Sequence, residues 1–147
     1  MKLLLTNIRW LRVVVSSFLI IVMSFLVVTI ITAGYSFFLA FEAHGKPDQV
    51  AINHFAAMIS RWMMPLLEIF FTFVIAFIST KKTNNNISIH GLLIGILAGL
   101  LSTIMKIGFS GHLNYRTYIF FLIIVALGFL GGFFTQNQFS KKMKSPA

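Results

Sequence analysis

Apolar and polar positions alternate in long blocks along this chain rather than every few residues. Residues 13–41 form a run of 29 without a single charge. As an α-helix such a run is about 43 Å long, against a hydrocarbon core of roughly 30 Å. It therefore predicts a membrane span that tilts, bends or projects beyond the bilayer. Lys2, Arg9 and Arg12 precede it and resemble the basic start of a signal peptide. The apolar stretch is about twice the usual 7–15 residues, however, and no small-x-small cleavage site follows a short one, so an uncleaved first helix is expected.

Gly45-Lys46-Pro47-Asp48 breaks the pattern as a turn, and Asp48 is placed to cap a following helix through its side-chain oxygen. Over residues 49–61 Gln49, Asn53 and Ser60 recur at helical spacing with His54 and Arg61 beside them, and Val50, Ile52, Phe55, Ile59 and Trp62 occupy other positions. This segment is read as an amphipathic interfacial helix or as the exposed start of the next span. The second span covers residues 62–80 and is interrupted by Pro65 and Glu68. A proline there leaves the Arg61 carbonyl without its donor and predicts a kink. A polar connector from Lys81 to Asn86 follows, with Ser88 as a plausible cap for a third span over residues 91–109. A loop over residues 110–117 leads to a fourth span, 118–135, and a tail bearing Lys141, Lys142 and Lys144. No internal repeat is visible. The expected architecture is an all-α integral membrane protein, one domain over residues 1–147, whose four transmembrane helices form a small antiparallel bundle.

Composition strengthens that reading. Charged residues make up 10% and hydrophobic ones 58%, with a mean hydropathy of +0.91. A soluble domain carries about a quarter charged residues to keep its outer faces wet. The net charge of +9 would suggest nucleic acid in a soluble protein, but here the basic residues sit in clusters between apolar runs, where they set orientation instead. One side holds Lys2, Arg9, Arg12, Lys81, Lys82, Lys141, Lys142 and Lys144; the other holds Lys46, Arg61, Lys106 and Arg116. The richer side is expected in the cytoplasm, with both termini there. That placement also makes the Asn86-Ile87-Ser88 sequon accidental. The absence of cysteine excludes disulfides, thiolate metal sites and cysteine catalysis.

Small residues recur at helix-packing spacing. Gly91, Gly95 and Gly99 form a GxxxGxxxG run, Gly128 and Gly132 repeat the interval with Gly131 beside them, and Thr29, Ala33, Ser36 and Ala40 make a small stripe on the first span. In lipid, helices gain by close backbone approach, so these faces mark contacts with a helix of this chain or of a partner.

Glu68 is the one acid inside an expected span. If Trp62 marks the outer interface, Glu68 lies about 9 Å deeper along the helix, and Lys106 sits about 5–8 Å from the same surface. An ion pair between the second and third helices follows. Burying a charge at a helix centre costs about 2.5–3.5 kcal/mol on translocon scales, so Glu68 must be protonated, paired or facing water. It is either a proton- or cation-coupling site or an interhelical anchor satisfied by Lys106, Arg61 or a backbone group. A single acid without a second polar relay favours the anchor, and Lys106 alone would snorkel toward the headgroups.

His44, His54 and His112 fall on the outer side near Glu42 and Asp48, but their spacing matches no recognised ligand pattern. His54 and Met58, with Met63, Met64 and Met105 at similar depth, read better as packing than as a copper site. No catalytic constellation and no phosphate-binding glycine loop is visible, and no cofactor is expected. The expected function is that of a non-enzymatic, self-associating or accessory membrane subunit packed through its glycine-bearing helices. Its partners would be the lipid bilayer and a homo-oligomer or larger membrane complex, not nucleic acid. The alternative is a small transporter or channel component working through Glu68. Short basic tails and the missing cysteines point to the cell membrane of a bacterium.

Overall fold

A computed structural model describes residues 8–45, 48–81, 83, 86–110 and 115–143. They form four helices, α1 (Trp10–Glu42), α2 (Gln49–Thr80), α3 (Ile87–Ser110) and α4 (Tyr115–Met143), with no strand among the described residues. All four are long and apolar enough to cross a membrane.

Local chemistry explains the helix starts. The Asp48 carboxylate accepts from the backbone N–H of Val50 (2.8 Å) and Ala51 (3.3 Å), satisfying donors that the first turn of α2 would otherwise leave open. The stretch over residues 49–61 is not a separate interfacial helix: it is the first part of α2, which runs unbroken through Pro65. No turn residue separates Arg61 from Trp62, so nothing stops the helix that Asp48 starts. Ser88 is not the cap of α3. That helix begins from Asn86, whose φ of 53° lies in the left-handed region that asparagine tolerates and whose carbonyl accepts from the His90 N–H. Ser88 sits inside the first turn and donates to the Gln136 side chain on α4.

Contacts across the helices give an up-down-up-down arrangement. Gly91 lies against Gly128 and Gly132, Gly95 against Ile124, and Gly99 against Phe121, so α3 and α4 run antiparallel. Ser16 meets Ser79, and the Tyr35 and Phe55 rings stack with centroids 3.9 Å apart, so α1 and α2 do too. α2 and α3 each pack against all the other helices, so α1 and α4 lie on opposite sides of that pair and their backbones do not approach one another among the described residues.

The length of α1 resolves into a projection. Ser17 reaches the Ile94 carbonyl (3.1 Å), and carrying that register onward matches residue 33 to the end of α3. Residues 34–42, roughly 13 Å of helix, thus extend beyond α3 and pair with the polar start of α2. Among the described residues from 29 to 64 none is buried. The core lies in the other part of the bundle, around Val13, Ile20, Ile75, Ala76, Ile94 and Ile124.

Polar side chains tie this core together. Thr80 donates to Thr135 Oγ1 (2.9 Å), which lies 3.1 Å from the Phe77 carbonyl, and Arg12 Nη1 donates to Thr83 (3.2 Å). His90, 1% exposed, uses both ring nitrogens: Nε2 accepts from the Arg9 backbone N–H (3.2 Å) and Nδ1 donates to the Asn86 carbonyl (3.1 Å). Among the described residues no buried side-chain nitrogen or oxygen lacks a partner.

Candidate functional site

The acid in α2 is the centre of the site. Glu68 follows Pro65 by three residues, on the face that α2 turns toward α3, and is 2% exposed. On α3, Ser102 and Lys106 are four residues apart and therefore share a face. Both reach the same carboxylate oxygen: Ser102 Oγ donates to Glu68 Oε2 at 2.7 Å and Lys106 Nζ at 2.9 Å. The lysine side chain is 30% exposed while its partner's is 3% exposed, so the carboxylate is buried and the ammonium reaches outward. Thr72 adds a bond to the Glu68 backbone carbonyl (2.6 Å).

The two carboxylate oxygens differ. Oε2 takes both donors, and Oε1 has no partner among the described residues. Glu68 lines a cleft of about 1310 Å³. All four helices contribute to it, α1 through Phe25 and Val28 and α4 through Arg116 and Phe120. Most of the wall is apolar; its polar side chains include Ser60, Ser102 and Thr117.

The charges in the wall are unbalanced. Arg61, Lys106 and Arg116 face a single acid, Glu68. Arg61 shares the cleft with Glu68, but the ion-pair partner of the acid among the described residues is Lys106. Arg61 and Arg116 are exposed, and neither has a hydrogen-bond or ion-pair partner among the described residues. The Lys106 ammonium also lies 5.8 Å from the Phe120 ring centroid.

The glycines of α3 and α4 face each other within the chain. A Cβ at Gly95 would lie 2.9 Å from the Ile124 carbonyl, one at Gly128 2.6 Å from the Gly91 carbonyl, and one at Gly132 2.9 Å from the Ile87 carbonyl. A Cβ at Gly91 would overlap the Gly128 carbonyl, and one at Gly99 would meet the Phe121 ring at 2.8 Å. Gly131 points another way, against Phe73 and Ala76 of α2. These positions fix how closely α3 approaches α4, and so where Ser102 and Lys106 stand.

Two of the three candidate histidines lie among the described residues. His44 lies just past the end of α1 at a φ of 50°, His54 is exposed on α2, and His112 lies outside the described residues. No group of three or more metal-ligating side chains exists among the described residues. Three positions escaped the reading of the sequence as site residues. Ser102 was detectable as the residue one turn before Lys106, and Arg116 as a cation opening α4. His90 was not, because its partner is a backbone N–H at Arg9, and no spacing rule relates the two. No known protein family, curated protein or solved structure matches this chain.

Proposed function

We propose that this chain is a non-enzymatic, multi-pass protein of the cell membrane that works as a small transporter or channel component through Glu68. The observation that carries this reading is a buried carboxylate, held through one oxygen by Ser102 and Lys106, on a residue that lines a cleft between the helices. A purely structural anchor has no need of a cleft beside it. A site that must exchange a proton needs the access. Protonating Glu68 removes the charge that holds Lys106, so the same event that loads the acid frees the lysine side chain to move. Cation coupling fits less well, because Lys106 already occupies the carboxylate and two further arginines line the cleft.

The membrane setting rests on four apolar helices and on the imbalance of basic residues, which favours both termini in the cytoplasm and a bacterial inner membrane. The cleft then lies toward the outer face, at the end of the bundle where α3 gives way to α4. The rival reading, a self-associating or accessory subunit, needs contact faces other than the α3 and α4 glycines, because those faces already cover each other.

Proteoliposomes with an entrapped pH dye test the proposal. Under an imposed pH gradient and a potassium diffusion potential, the native protein should carry protons, and Glu68→Gln should reduce the rate to that of empty vesicles while remaining folded. Equal rates in the native protein, the variant and empty vesicles would overturn the reading.

A further inference from the structure

Taking the cleft as the working site proposed above, we infer that it holds an anionic amphiphile: a lipid with a phosphate in its headgroup. Three observations converge. The cleft carries three cations against one acid, and that acid is already spent on Lys106. Arg61 on α2 and Arg116 at the start of α4 stand without partners among the described residues. The rest of the wall is dominated by apolar side chains, among them Phe25, Val28, Leu66 and Phe120.

Each observation selects part of the ligand. Guanidinium groups present planar pairs of N–H donors that match phosphate oxygens, so two unpaired arginines in one cleft favour that anion over a point cation or a neutral polar solute. A small free anion would use the charged rim and leave the apolar wall without an occupant. An acyl chain fills that wall at no desolvation cost, since it leaves one apolar phase for another. The headgroup would sit near Arg61 and Arg116 and the chain along Phe25 and Phe120, with Glu68 at the polar end. A negative headgroup beside Glu68 also competes for Lys106, which ties occupancy of the cleft to the state of the ion pair.

The sequence supplies its own reporter. Of its two tryptophans, Trp62 lines this cleft and Trp10 begins α1 at the opposite end. With Trp10→Phe as parent, emission from Trp62 can be followed in phosphatidylcholine vesicles doped with phosphatidylglycerol or phosphatidylcholine, each brominated on its acyl chains to quench at contact. Brominated phosphatidylglycerol should quench Trp62 at a far lower mole fraction than the brominated zwitterionic lipid. Arg61→Gln or Arg116→Gln should weaken that preference roughly 5-fold each, and the pair about 30-fold. Glu68→Gln removes the negative charge of the cleft and should strengthen it. Lys81→Gln, at the other end of the bundle, should leave it unchanged.

Equal quenching by the two lipids in the parent overturns the proposal, as does an equal loss with Lys81→Gln, which would mark general surface attraction. Relief of quenching by inorganic phosphate, against chloride at equal ionic strength, would assign the site to a soluble anion and overturn the lipid. A missing lipid preference alongside Glu68-dependent proton flux removes this ligand and leaves the transport reading standing. A lipid preference without that flux does the reverse.

Discussion

Replacing Gly128 with alanine adds one methyl group at the tightest crossing of the bundle. The new Cβ would lie 2.6 Å from both the Gly91 carbonyl oxygen and the Gly95 Cα, whereas ordinary contact begins near 3.4 Å. Both neighbours are backbone, so no side chain can rotate away, and α3 must retreat by roughly 0.8 Å. The strain spreads along the register to Gly91, Gly95 and Gly132. Overpacking of this kind costs about 1–3 kcal/mol, while alanine regains up to about 1 kcal/mol of helix propensity. With backbone on both sides the cost falls in the upper part of that range, and the expected net loss is about 1–2 kcal/mol. Gly34 and Gly108 provide the contrast, since a Cβ at either meets nothing within 4 Å. The same glycine-to-alanine change there should be neutral or stabilising. Unfolding in mixed micelles titrated with a denaturing detergent, followed by circular dichroism, measures all three variants on one scale. The reasoning is refuted if Gly128→Ala is as stable as the Gly34 and Gly108 variants.

Two further outcomes follow from the polar contacts. Lys106→Met leaves the Glu68 carboxylate buried with Ser102 as its remaining donor; removing one partner of a buried pair costs about 3–5 kcal/mol, and the partial exposure of Lys106 places the expected loss at the lower end, read in the same titration. His90→Ala strands the Arg9 N–H and one lone pair of the Asn86 carbonyl, so the first turn of α1 should exchange its amide hydrogens faster by roughly 10-fold or more, as an unmet buried donor costs about 1–3 kcal/mol; unchanged protection there would show the ring to be dispensable.

Long apolar blocks made the four helices legible, because runs of that length and hydropathy suit helices long enough to cross a membrane. The pairing of Glu68 with Lys106 was legible for a related reason: each charge had to lie within reach of the same surface, and depth along a helix can be counted. Which helix the glycines meet was not, since a GxxxG interval records close approach and not the identity of the neighbour. The continuity of α2 was left open by the change near residue 61 from a stretch dotted with polar residues to an apolar one. Pro65 removes one hydrogen bond, but the helix starts from the cap at Asp48 and runs through it. The cleft itself was invisible. It is lined by side chains from all four helices, a property of the assembled bundle that no segment carries alone.

Whether the charge pair at Glu68 works or merely holds the helices together is decided by neutralising both partners at once. Glu68→Gln with Lys106→Met keeps an acceptor for Ser102 and removes both charges, and exchanging a buried pair for neutral residues of similar size is commonly neutral or mildly stabilising. In proteoliposomes this double variant is expected to be as stable as the native protein, within about 1 kcal/mol, yet to carry no protons above the level of empty vesicles. A double variant that conducts protons at the native rate would contradict the account, leaving the pair as an interhelical anchor.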